Sequence, residues 1–227
     1  MANFTFDLRP KPLNALIPPA AAVSLARSLI TEVANTWKEG SAYPHGVQVY
    51  SRKLLGEKWI ARISTHKEPW DWFKAGICEN HTENEAEYIE TLDSFTEIDA
   101  GESGWRGVHT KYKLSFPLSI REIPEWVLAI QPEPDIKEFF VISVPADVPI
   151  SKNSVKGRYA SIEYVHELPD GKVEWTMAFT PVVANMFDQS DGGGFIPRVI
   201  QDLALPSTTA HDVPNFLTWA KKKYAAE

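Results

Sequence analysis

Two charged residues stand where strand patterns elsewhere put apolar ones. Arg62 in "WIARIS" and Glu163 in "ASIEYV" are flanked on both sides by apolar neighbours. A charge enclosed in such a place persists only when it is paired and hydrogen-bonded. Either each points to solvent or completes a structural ion pair, or the two anchor the carbonyl or hydroxyl of a ligand. His66 ends the first of these runs, after Thr65, and a side chain that titrates near neutral pH suits general acid or base work. His109 shares a strand face with Lys111 and Lys113, which reads as an exposed face. His166 shares one with Ile162, Tyr164 and Leu168, which reads as a core histidine.

Other chemistries lack their residues. The six histidines and one cysteine make no His-x-x-x-His, Cys-x-x-Cys or His-Glu-x-x-His spacing, so no metal site is expected. There is no Gly-x-Ser-x-Gly nucleophile elbow. The run "SDGGGFIPRVIQDLAL" places backbone amides before a helix, as a phosphate loop does. No Lys-Ser or Lys-Thr follows its glycines, however, and Pro197 occupies the third glycine position of a dinucleotide fingerprint. Glycine's permissive backbone makes this run a strand-to-helix hinge instead. No cofactor is expected, which leaves acid–base, electrostatic or purely restraining catalysis.

Composition narrows the partners. A chain of 227 residues buries a core without metal or disulfide help and is expected to form one domain over 1–227. The formal charge of −7 argues against binding nucleic acid or an anionic membrane, both of which need clustered Lys and Arg. The basic run Lys221 to Lys223 falls at a helix C-terminus, where cations complement the helix dipole. With Cys78 alone, an intramolecular disulfide is impossible, and a reducing, cytoplasmic setting is expected. No apolar run reaches the roughly 18 residues of a membrane span. Residues 1–19 read as an extended proline-rich lead rather than a secretory signal.

The elements that must position these residues follow from periodicity. Val23, Ala26, Ile30, Val33 and Trp37 recur at helical spacing and predict a helix from Ala20 to Glu39, stopped at Gly40. "GVQVYSRKLL" and "EKWIARISTH" predict a hairpin turning at Gly56-Glu57. Glu68 to Ile77 and Thr82 to Leu92 predict short, polar, peripheral helices. From Trp105 the chain alternates, with Val108, Thr110, Tyr112, Leu114 and Phe116 on one strand face. A break is expected at "PLSIREIPEW". Lys137 to Val144 then predicts a strand covered on both faces. "RYASIEYVHEL" and "KVEWTMAFT" form a hairpin at Pro169-Asp170-Gly171. Two helices close the chain, one carrying Ile196, Val199, Ile200, Leu203 and Ala204, the other capped at Asp212 and carrying Val213, Phe216, Leu217 and Ala220.

An antiparallel sheet followed by helices with apolar faces is an α+β arrangement in which the helices lie across the concave side of the sheet. The order Tyr159-x-Ser161-x-Glu163, then Trp175, then Asp191 to Pro197 into a helix, with "WRGVHTKYKLSFPLSIREI" upstream, resembles the fungal START-like domains. These are relatives of the steroidogenic-acute-regulatory lipid-transfer and polyketide cyclase proteins, and the resemblance runs over roughly 47–222. It implies a helix-grip fold, a curved antiparallel sheet wrapped around C-terminal helices with an internal hydrophobic cavity.

The resemblance further implies a hydrophobic small molecule as partner, a terpenoid, polyketide or lipid. Apolar residues expected to line its site are Tyr112, Trp175, Met177, Phe179, Phe195, Val199, Phe216 and Trp219. Glu163, Arg62 and His66 are the candidate catalytic residues, for cyclisation of a secondary-metabolite intermediate. A noncatalytic lipid or sterol carrier is the alternative, and an interaction module whose cavity is filled by tryptophan a second.

Overall fold

The computed structural model describes residues 4–113, 120–152, 154–183 and 212–225. Among them nine strands form one sheet: β1 (Lys38–Tyr43), β2 (Val47–Leu54), β3 (Glu57–His66), β4 (Leu92–Ile98), β5 (Arg106–Tyr112), β6 (Arg121–Ile130), β7 (Glu138–Pro145), β8 (Val155–Glu167) and β9 (Val173–Val183). Their order is β1-β2-β3-β9-β8-β7-β6-β5-β4. Neighbours run antiparallel, and β6 and β8 also touch in parallel at Arg121↔Val155 and Glu122↔Lys156. The sheet carries helices on both faces: α1 (Pro19–Ile30), α2 (Val33–Thr36), α3 (Trp70–Phe73), α4 (His81–Tyr88) and a terminal helix, α5, over 212–224.

Strand alternation splits the core into two layers. Trp59, Ala61, Trp126, Phe140 and Ile162 form the outer layer with Ala22, Val23, Ala26 and Ile30 of α1. Arg27 of α1 fixes that helix to β7, donating to Glu138 Oε2 at 2.7 Å. The inner layer combines Ile60, Val141, Val165, Val173 and Trp175 with Phe73, Ile77, Val213 and Phe216. Lys137 to Val144 thus reads correctly as doubly covered: every residue of β7 is buried.

Several boundaries depart from the periodicity. The helix expected from Ala20 to Glu39 stops at Ile30, resumes for α2 and gives way to β1, so Gly40 is a strand residue. Thr31 Oγ1 and Thr36 Oγ1 also donate to the carbonyls of Arg27 and Glu32, at 2.8 and 3.0 Å, the local side-chain-to-backbone bonding by which threonine competes with a continuing helix. The first hairpin turns one residue early, at Leu55 and Gly56, both with positive φ, 52° and 87°. That is the conformation two-residue hairpin turns demand. The break expected around Pro124 is strand β6, in which the proline keeps its acceptor role and takes the amide of Ala146 at 2.9 Å. Leu92, placed at the end of a helix, begins β4. Leu114, Phe116 and the hinge and helix at Ser190 to Leu205 lie outside the described residues.

The segment after Glu68 is not peripheral. Trp70, Phe73 and Ile77 are buried in the inner layer, and α3 runs on into a wider helical turn, Lys74–Cys78. Gly76 in that turn lies against α5: a Cβ there would stand 2.6 Å from Cε2 of Phe216. Gly76→Ala is therefore expected to lower stability by about 1–3 kcal/mol through overpacking. Phe216→Leu in the same chain should return part of that loss, and denaturant titration of the single and double variants measures both.

Candidate functional site

Between the inner face of the sheet and α4 lies a cavity of about 340 Å³, with Asp212 at the start of α5 on its margin. Its strand walls follow the two-residue period: Val108, Thr110 and Tyr112 of β5; Arg121, Ile123, Glu125 and Val127 of β6; Tyr159, Ser161 and Glu163 of β8; Met177 and Phe179 of β9. Helix α4 supplies His81 and Glu85, four residues apart and so on one face.

These two meet Glu163. His81 Nδ1 lies 2.8 Å from the carbonyl oxygen of Ile77. A carbonyl only accepts, so Nδ1 carries a proton, and Nε2 faces Glu85 Oε2 at 3.5 Å. One atom each from His81, Glu85 and Glu163 lies within 4.8 Å of the others. One nitrogen and two carboxylate oxygens so placed are also a donor set that a divalent cation accepts, one the residue spacing did not lead us to expect.

Burial governs how this cluster titrates. It pushes Glu85 up to about 7; His81 opposes the shift, while Glu163 and Asp212 add to it. For His81 burial acts downward but is outweighed by Glu85, Glu163 and the Ile77 carbonyl, so its pKa rises. Glu125 is held well above the carboxylate range, first by burial and then by Glu85. Burial likewise keeps Tyr112 and Tyr159 protonated. The cavity therefore offers neutral O–H donors beside a carboxyl that titrates near 7 and a histidine whose pKa is raised.

Arg62 and Glu163 do share the inner face, but not as a direct ion pair. Both are in register with Met177, on opposite sides of β9. Trp175 joins them: the Arg62 guanidinium stacks 3.8 Å from its ring centroid, and its Nε1 donates to Glu163 Oε2 at 2.8 Å. Arg62 is completely buried, and burial lowers its pKa against the pull of Asp212 and Glu163.

Of the residues singled out from the sequence, Glu163, Tyr112, Met177 and Phe179 line the cavity. Arg62 and Trp175 stand behind Glu163. His66 is outside the lining; it bonds Ser64 Oγ at 2.8 Å, and burial takes its pKa down to about 4. Phe216 packs on Phe73, Tyr88 and Trp175, and Trp219 Nε1 donates to Glu87 on the far side of α4. Phe195 and Val199 lie outside the described residues. His109, read as exposed, instead sits largely buried 2.9 Å from Glu122. Burial raises the Cys78 thiol to about 11, which leaves it no nucleophile. Sequence reasoning passed over His81, Glu85, Glu125 and Arg121. The i, i+4 pair His81 and Glu85 was the available signal, hidden in a segment polar enough to read as surface.

The chain belongs to the family described as a protein of unknown function, DUF3074, which it matches over residues 59–220. It is 24% identical over 204 residues to the uncharacterized protein C577.11 of Schizosaccharomyces pombe, covering 86% of this chain and 82% of that protein. Among solved structures, human StAR-related lipid transfer protein 5 superimposes with a TM-score of 0.72 at 13% identity, over 91% of this chain and 98% of that one. The Zhui aromatase/cyclase of Streptomyces sp. R1128 does so with a TM-score of 0.52 at 13% identity, over 74% and 96%. At these identities the likeness is one of fold, and the fold is START-like.

The cluster makes stability depend on pH. Glu85 titrates near 7 in the folded chain against an ordinary 4.5, so between those values the native state holds more protons than the unfolded one. Its contribution is complete below about pH 4.5 and lost as pH rises through about 7, and the raised His81 acts in the same direction. His66, lowered to about 4, acts in the opposite direction below about pH 6.5, so the Glu85 contribution is read as a difference: from pH 5 to pH 8 the melting temperature of Glu85→Gln is expected to rise relative to that of the wild type. Thermal melts of both proteins across that range check it, and equal slopes would contradict the assignment.

Proposed function

We propose that this protein encloses a hydrophobic terpenoid or polyketide intermediate and promotes its ring closure by acid–base chemistry of its own side chains. The observation that carries this reading is the convergence of His81, Glu85 and Glu163 on one apolar-walled cavity. Ile123, Val127, Met177 and Phe179 would hold a flexible molecule in a reactive conformer, which removes much of the entropic part of the barrier. A carbonyl placed against the cluster receives the proton of Glu85. His81 Nε2 takes a proton from the carbon beside that carbonyl, which leaves an enol, the Glu85 carboxylate and a His81 imidazolium. The enol carbon attacks a second carbonyl to close the ring, its O–H proton returns to Glu85, and the imidazolium proton passes to the new alkoxide. Both side chains end in their starting states, so the closure is an isomerisation, and later loss of water from the aldol is the only change of mass. Glu163 holds the cluster in place through Trp175.

A noncatalytic carrier is the second reading. It is favoured by the larger likeness to a protein titled lipid transfer than to one titled aromatase/cyclase, 0.72 against 0.52 in TM-score. The tryptophan-filled interaction module has less support, because Trp175 packs behind the wall and the cavity beside it stays open.

Native mass spectrometry after exposure to an extract rich in terpenoids and polyketides separates these readings. The expected released species is isomeric with an input compound or lighter by water, and Glu85→Gln should release the input compound unchanged. An unchanged ligand from the wild type would assign the carrier. No ligand from either protein would overturn both readings.

A further inference from the structure

Among the cavity-lining residues, Arg121 stands without a described counter-charge. It opens β6 with its side chain on the cavity wall, and only 7% of its surface is exposed. Its Nε has no hydrogen-bond partner, and among the described residues it makes no ion pair. Arg158 shares the unpartnered Nε but is less buried and lies outside the cavity lining. Other arginines have partners. Arg27 meets Glu138, Arg52 meets Glu32, and Arg106 meets both Glu83 and Glu97. Arg62, buried more deeply still, has the Trp175 ring against it and feels Glu163 and Asp212. For Arg121 burial is the one influence on its titration, so no described carboxylate lies close enough to compensate it. The next ionisable group on its face of β6 is Glu125, four residues along and so about 13 Å away.

A guanidinium does not escape burial by losing its proton near neutral pH, so the cavity holds a fixed positive charge at one end. Desolvating that charge opposes folding unless an anion compensates it. The guanidinium is also a planar fork that pairs bidentately with carboxylate or phosphate oxygens. We infer that Arg121 is the docking point for the oxyanion end of the ligand, whose apolar body runs along Ile123 and Val127 toward the His81–Glu85–Glu163 cluster. The ligand class is then an amphipathic acid, a carboxylate or a phosphate monoester on a hydrocarbon chain, and not a neutral sterol or terpene. This rests on the reading that the cavity takes a hydrophobic molecule, and it adds which end of the molecule goes where.

Three probes sharing one hydrocarbon chain test it: laurate, dodecyl phosphate and dodecanol, each titrated calorimetrically into the wild type below its micellar concentration. The wild type is expected to bind at least one of the two anions ten-fold or more tighter than the alcohol, and the tighter anion identifies the oxyanion. Arg121→Gln should lose that preference while keeping its affinity for dodecanol. Arg121→Lys should keep part of it, since the charge stays but the fork is lost. Equal wild-type affinity for acid and alcohol overturns the inference without any variant being needed. So does an Arg121→Gln protein that binds anion and alcohol as the wild type does, or that loses both equally. Tight binding of dodecanol alone sinks the oxyanion dock and leaves the hydrophobic cavity standing, whereas binding of none of the three overturns the cavity reading too.

Discussion

A guanidinium is held without solvent exposure at the centre of the inner face, and Trp175 allows it to be there. The indole presents its ring to Arg62 at 3.8 Å and its Nε1 to Glu163 at 2.8 Å, so one side chain faces a cation and holds an anion. Placed two strands apart across β9, the two charges are bridged by an aromatic ring. Trp175 is in turn clamped by Phe73 and Phe216, which joins α3 and α5 to the same point. The orientation of Glu163, and with it one wall of the cavity, depends on this stack. Cation–π contacts gain strength when desolvated, as this one is.

From that fixed carboxylate the rest of the site follows electrostatically. Helix α4 brings Glu85 beside Glu163 in a buried space that raises the Glu85 pKa, first through burial and then through the neighbouring Glu163 and Asp212, and the Ile77 carbonyl orients His81 against it. Glu125 is neutralised by the same enclosure. At the cavity's other end Arg121 keeps its charge. The cavity is thus charged at one station and holds the titrating cluster at another, with Ile123 and Val127 among the residues that line it.

Much of this was legible along the chain. Alternation in β5, β8 and β9 put Tyr112, Glu163, Met177 and Phe179 on one face, and that face is the cavity wall. The last helix and the buried character of β7 were equally plain. Strand periodicity is a local property, set by backbone geometry at each residue, and no distant partner is needed to read it. Local signals misled where a distant partner decided the outcome. Lys38–Tyr43 became a strand because β2 offered it an edge, and Pro124 stayed in β6 because its carbonyl still had Ala146 to bond.

The sequence by itself determined the two-faced strands, the apolar stripe of the last helix and the presence of Arg62 and Glu163 in apolar company, because each is a pattern of neighbours in the chain. Only the tertiary structure decided which ionisable groups meet. Glu85 and Glu163 are far apart in the chain and come together because α4 crosses the inner face, and a short polar helix gives no local sign of which surface it will cover. Arg121 shows the same dependence: an arginine near a proline is ordinary in a sequence, and only folding buries it in a cavity where, among the described residues, no carboxylate pairs with it.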